Sequence, residues 1–420
     1  MTAHLPFPLA SSGSKKALFK RISLISILIA SLTALSASQI SGRPISYDAF
    51  INLKLAHNYA THQVLSIDDH YPYKHSNARE PLPNIVTGLH LRLFDPKEPA
   101  TSLRQLSQGD GAKLAKSANI YWVILGLVGT AMITWELVGS FPVVMACIFA
   151  VGFFFYSAPV FVDTLYTELQ AATALIWSSW ILLKTVDKPT KSRFFICGAF
   201  LGILTLTKAI FFQISLAFIG LIATYALLLF LRRKKSVFLP HISAMLLGFV
   251  ACLMPWMIVN KLQLGTTNIA MRGGGVLYAR AIKENMSNSE IPGAIYFWGP
   301  SFYQHIANRI GIGAKPADFQ AGGRYQHINR DSSSNFSQAD LKAVALGRPD
   351  LAVSYLRKFG AMEVKYMQEA AKKNIKHPEQ YADDKLASDA KNIIIKNPRS
   401  EEHTSELQSH SDLVCRLLLE

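Results

Sequence analysis

The chain has 420 residues, half of them hydrophobic, and carries 43 Lys and Arg against 28 Asp and Glu for a formal net charge of +15. Its apolar residues come in blocks of about twenty, the length that crosses ~30 Å of hydrocarbon at ~1.5 Å per residue, which excludes an ordinary soluble enzyme. The basic excess then belongs to cytoplasmic loops and anionic lipid, and no nucleic-acid role is read into it.

Residues 1–21 read as a cytoplasmic tail in which Lys15, Lys16, Lys20 and Arg21 precede the first apolar run, 22–40. A cleaved secretory signal and an uncleaved first helix both place residue 41 outside; the spans that follow favour the helix. Residues 41–118 form a first outer loop. Within it, 49–60 has Ile51, Leu55 and Tyr59 on one side and Asn52, Lys54 and Asn58 elsewhere, which predicts an amphipathic helix lying along a membrane surface. Pro72, Pro81, Pro83, Pro96 and Pro99 are expected to break anything longer. Six further spans are predicted within 119–259, at 119–138, 141–158, 164–183, 194–206, 210–231 and 237–259. The expected fold is therefore an all-α polytopic membrane protein. Basic clusters at 15–21, 184–193 and 232–235 then fall on one side, which the retention of Lys and Arg makes cytoplasmic. That predicts a multi-pass inner-membrane protein with its N-terminus inside and its long loops outside.

No stretch from 260 to 398 is apolar enough to cross, so this reads as a second outer segment. It holds three glycines at 273–275, read as a flexible turn rather than a nucleotide loop because no strand precedes them. An aromatic patch follows at Tyr296, Phe297, Trp298, Phe302 and Tyr303, then a serine-rich turn at 332–334 and a basic amphipathic helix over 350–373. Sequons occur at Asn285 and Asn335. His57, His62, His70 and His75 lack metal-ligand spacing and read as solvated loop residues. Cys147, Cys197 and Cys252 lie in apolar spans as small hydrophobes, so neither a disulfide framework nor a zinc site is expected. Residues 399–420, RSEEHTSELQSHSDLVCRLLLE, read as a translated sequencing-library adapter, implying a native frame cut near Pro398.

Charges within apolar spans cost about 2.5–3.5 kcal/mol each at a helix centre, so those beside spans are functional candidates. Asp48, Arg79, Glu80, Asp163, Glu168, Lys208, Arg272 and Arg280 map to the outer face, whereas Glu136 maps to the inner edge. Plainer roles exist for several. Asp48 or Asp163 can cap a helix, Arg79 and Glu80 can pair at a surface, and Lys208 can snorkel. Glu168, placed about a turn inside the membrane, is harder to explain without a partner or a function.

The order of short motifs carries a resemblance. Tyr47-Asp48-Ala49-Phe50, the run Ala56-His57-Asn58-Tyr59-Ala60 and Arg79-Glu80-Pro81-Leu82-Pro83 follow the first span. Tyr166-Thr167-Glu168, Leu206-Thr207-Lys208 and Pro255-Trp256-Met257-Ile258-Val259-Asn260 come later. Over about residues 20–285 this resembles bacterial GT-C glycosyltransferases of the protein-mannosyltransferase and aminoarabinose-transferase superfamily. The resemblance implies a GT-C-like helical bundle that moves a sugar, with inversion, from a polyprenyl-phosphate donor to an acceptor protein or glycolipid outside the membrane. It implies catalytic roles for Asp48 and Glu80, and substrate binding by Arg79, Lys208, Arg272, Arg280, Glu168 and Asp163. No cofactor is expected, with a divalent cation left open. Ala49 stands where many relatives carry Glu, and Ala209 where a proline commonly follows the lysine. Two other classes remain open on the residues alone: a transporter or flippase of a lipid-linked substrate, and a non-catalytic membrane subunit.

Overall fold

The computed structural model describes residues 12–95, 101–231, 239–271, 273–284, 286–299, 301–320, 322–328 and 338–396. Arg272, the cluster 232–235, Asn285, the turn at 332–334, Asn335 and the tail 399–420 lie outside them. Among the described residues the chain is helical and contains no strand. It divides into two compact units, 1–260 and 261–420.

The first unit opens with α1 (Ser12–Ser38) and ends in α12 (Leu239–Leu264), which runs just past the unit boundary. Between them lie α2 (Tyr47–His62), α3 (Pro81–Phe94), α4 (Leu103–Leu106), α5 (Gly109–Ser117), α6 (Asn119–Val138), α7 (Phe141–Val151), α8 (Pro159–Val162), α9 (Glu168–Asp187), α10 (Lys191–Thr207) and α11 (Phe211–Leu231). Among the described residues five helical stretches are long and apolar enough to cross a membrane: Ala17–Ser38, Gly109–Val138, Glu168–Asp187, Phe211–Leu228 and His241–Leu264. The expected spans at 141–158 and 194–206 correspond to shorter helices. α7 gives way to a π turn at Gly152–Tyr156, and together they cover only ~24 Å. α10 reaches ~25 Å and carries Lys191 and Arg193 in its first turn.

Side chains at the helix ends fix the direction of the bundle. α6 and α9 run parallel, because Gln170 Nε2 donates to Asn119 Oδ1 at their starts (2.9 Å) and Lys184 pairs with Glu136 near their ends (2.5 Å). α10 returns antiparallel to α9, with Arg193 Nη1 donating to the Lys184 carbonyl (2.6 Å). Arg21 of α1 lies over the Phe141 ring at the start of α7 (5.8 Å). One end of the bundle therefore gathers Arg21, Lys184 and Arg193, while the other receives the segment 41–118.

That segment folds as a lobe. α2 has the predicted position but not the predicted face, since Asn52 and Asn58 are buried with Leu53, Leu55 and Ala56. Each asparagine is inside because it clamps a backbone that has no regular partner. Asn52 Nδ2 donates to the Leu165 carbonyl (2.7 Å), and Asn58 Nδ2 donates to the carbonyls of Ser66 (2.8 Å) and Asp68 (3.0 Å). Pro81 and Pro83 begin α3 rather than interrupting a helix, which suits a residue whose missing N–H would have no helical partner in the first turn. α2 and α3 pack closely at Gly88, where a Cβ would lie 2.7 Å from the Ala56 carbonyl oxygen and 2.9 Å from Tyr59 Cδ1.

The second unit comprises α13 (Gly273–Glu284), α14 (Ile291–Trp298), α15 (Ser301–Arg309), α16 (Gln338–Leu346), α17 (Tyr355–Lys372) and α18 (Pro378–Lys396). The triple glycine is not a free turn. It starts α13, and the N–H groups of Gly274 (3.2 Å) and Gly275 (2.8 Å) donate to the Asp383 carboxylate of α18, a negative charge at a helix N-terminus. Tyr296 and Phe297 of the aromatic patch pack on Phe319 in a small core, whereas Phe302 is exposed. The predicted basic helix is α17, capped by the Ser354 hydroxyl, which accepts the Arg357 N–H (3.4 Å).

Candidate functional site

The site is built where the lobe meets the starts of α9 and α11. Tyr47, at φ +51°, occupies the left-handed region that a bulky L residue avoids. It turns the chain from the extended Ser46 into α2 and sets Asp48 in the first helical turn. There the Asp48 carboxylate forms an ion pair with Arg79, whose side chain is 18 % exposed against 42 % for Asp48. The guanidinium is mostly enclosed and the carboxylate keeps an open side.

The next residue, Glu80, is the N-cap of α3. Its Oε1 accepts the N–H of Ala209 (3.1 Å), and its carbonyl accepts from Asn84 Nδ2 (2.8 Å). A proline at 209 would have no N–H to give, so it is Ala209 that allows Glu80 to dock there. Lys208, one residue earlier, ends α10 and pairs through Nζ with Glu168 Oε1 (3.0 Å). Glu168 is the first residue of α9, the end at which a helix dipole suits a carboxylate. Two peptide steps thus join Asp48, Arg79, Glu80, Lys208 and Glu168 into one string of three carboxylates and two cations.

Asp163 stands apart from that string and does not cap α9, whose N-cap is Thr167. Its Oδ1 accepts the Ser41 N–H (2.7 Å) and pairs with Lys116 Nζ (2.9 Å), and its Oδ2 accepts from the Ser41 hydroxyl (2.6 Å). Lys116 also donates to the carbonyls of Ser41 (3.1 Å) and Arg43 (3.0 Å). With both charged side chains nearly inaccessible, the knot fastens the chain leaving α1 to the end of α5 and the end of α8. Asp163, for which the resemblance implies substrate binding, is engaged here by Ser41 and Lys116, groups of the frame. Lys116, like Lys113, carried no sequence signal beyond being a lysine just before an apolar run. Arg280 is exposed on α13 of the second unit.

A histidine set aside as solvated belongs to this region too. The His75 Nε2–H donates to Asn260 Oδ1 (2.8 Å), and its ring meets Trp256 edge-on at 5.0 Å. Burial holds the His75 imidazole below its usual protonation range, partly offset by the Asn260 bond. Among the described residues no group of three or more His, Cys, Asp or Glu side chains is placed to hold a metal ion. No protein-family model matches this chain, and a search of curated proteins found none similar to it.

Proposed function

We propose that this protein is a membrane-embedded, inverting glycosyltransferase that takes its sugar from a polyprenyl-phosphate donor. The five long apolar helices span the inner membrane, with the Arg21, Lys184 and Arg193 end cytoplasmic and the lobe outside. The observation that carries this reading is the string Asp48, Arg79, Glu80, Lys208 and Glu168 at the lobe end of the first unit.

An acceptor hydroxyl or amine attacks the anomeric carbon as the bond to the phosphate oxygen breaks, and polyprenyl phosphate leaves with the electron pair. Asp48, open on one side, takes the acceptor proton. Arg79 and Lys208 receive the charge growing on the leaving phosphate. Proton and guanidinium compete for the same Asp48 carboxylate, so the base acts once donor phosphate engages Arg79. Glu80 and Glu168 hold the cations' neighbourhood in register: Glu80 through Ala209, and Glu168 through Lys208. The acceptor is a protein or a glycolipid on the outer surface.

The placement of charge also separates this reading from a transporter or flippase. Transporters hold ionisable groups near the bilayer midplane between helices. Here the Asp, Glu, Lys and Arg residues described in α6, α9, α10 and α12 fall within about a turn of a helix end, and those of α1 all precede Ile22.

The test is transfer by purified protein from polyprenyl-phosphate-linked mannose and aminoarabinose. Asp48→Asn should abolish transfer from whichever donor the wild type uses, with yield and elution profile unchanged. Wild-type rates from that variant would remove Asp48 as the base. Wild-type protein that moves the intact lipid-linked sugar across vesicles without consuming it would replace the transferase with the transporter.

A further inference from the structure

The loop 63–80 carries Arg79 and Glu80 to their places, and its attachments can be followed. At its start Asn58 of α2 holds the carbonyls of Ser66 and Asp68. Within the loop the Ser76 N–H donates to the Leu65 carbonyl (2.7 Å), and Asp68 Oδ2 accepts the Lys74 N–H (2.7 Å) and the Ser66 hydroxyl (3.1 Å). At its far end His75 reaches Asn260, which is 0 % exposed, on α12. From there Ser76, Asn77 and Ala78, all buried, lead directly to Arg79. Four residues reach at most ~14 Å, and three of them are packed, so little slack separates His75 from the guanidinium.

We infer that His75 is a positioning residue that sets Arg79 against Asp48 by fastening this loop to α12 through Asn260 and the edge of Trp256. The inference rests on the phosphate-binding role proposed for Arg79. It also ties the geometry of the site to an apolar helix, so that a shift of α12 along or across the membrane is transmitted to the donor phosphate.

Polyprenyl phosphate, titrated into the purified full-length chain in detergent, is the probe. His75→Ala should weaken its binding roughly fivefold, the worth of one neutral hydrogen bond. His75→Gln, whose amide can still donate to Asn260, should retain most of the affinity. The decisive readout is coupling. The His75→Ala effect should vanish when Arg79 is already alanine and persist in full when Lys208 is. If His75→Ala does not elute as a folded species, Asn260→Ala removes the same bond from the other side and takes its place in the cycle. Equal losses in the wild-type and Arg79→Ala backgrounds would overturn the inference, as would unchanged binding in His75→Ala beside weakened binding in Arg79→Ala. Unchanged binding in Arg79→Ala itself would overturn the phosphate role of Arg79, and His75's role with it.

Discussion

Two groups of opposite charges sit at the same end of the first unit, and they differ in how completely their neighbours saturate them. Around Asp163 and Lys116 the acceptors are backbone carbonyls and a carboxylate, the donors are Ser41 and an ammonium, and both side chains are nearly inaccessible. Around Asp48, Arg79, Glu168 and Lys208 the partners are paired but between about a fifth and two-fifths exposed. Removal from water makes the first group a structural clamp, since a buried charge is tolerable only with its partners in place. Partial exposure leaves the second group able to exchange one partner for a ligand.

The contrast can be broken most severely at its buried side. Lys116→Met leaves Asp163 buried without its cation and should cost about 3–5 kcal/mol, read as a fall in the thermal unfolding midpoint and early proteolysis of the lobe. A variant as stable as wild type would show that the knot is not a clamp. Gly88→Ala forces a methyl against the Ala56 carbonyl and the Tyr59 ring, and should cost about 1–3 kcal/mol while separating the helices that begin next to Asp48 and Glu80. Thermal unfolding together with polyprenyl phosphate binding checks both consequences. Asp48→Asn, at the open pair, should change stability by no more than about 1 kcal/mol even as it abolishes transfer. A loss as large as that of Lys116→Met would erase the distinction between clamp and site.

The finest test uses pH. Burial lowers the protonation range of His75 and of His90, so their folded values lie below the ordinary 6.5. The unfolded lobe then binds protons first as pH falls, so the lobe's stability should be level above 6.5 and decline below it as pH falls toward the folded values. Hydrogen exchange of α2 and α3 across that range measures the decline. His75→Gln should reduce the slope and leave the part due to His90 and His62, which is also held below its ordinary value, whereas an unchanged slope would mean that His75 is not enclosed in solution.

Much of the candidate site was legible because charged residues beside apolar runs are conspicuous, and Asp48, Arg79, Glu80, Glu168 and Lys208 were all marked that way. What misled were residues whose chemistry depends on a distant partner. Asn52 and Asn58 look like a polar face, and His75 looks like a loop histidine, until the backbone carbonyls and Asn260 they bond are brought alongside. Pro81 and Pro83 read as breakers because a proline both ends and starts helices, and only the chain direction at Glu80 decides which.

By itself the sequence determined the helical character, the long apolar stretches and the clustering of basic residues between them, since these follow from local hydrophobicity and charge. Which carboxylate meets which cation was decided by tertiary structure alone. Asp48 finds Arg79, and Asp163 finds Lys116, across 31 and 47 residues of chain. No local pattern can distinguish those pairings, because the burial that makes one a clamp and leaves the other open is a property of the packed helices around them.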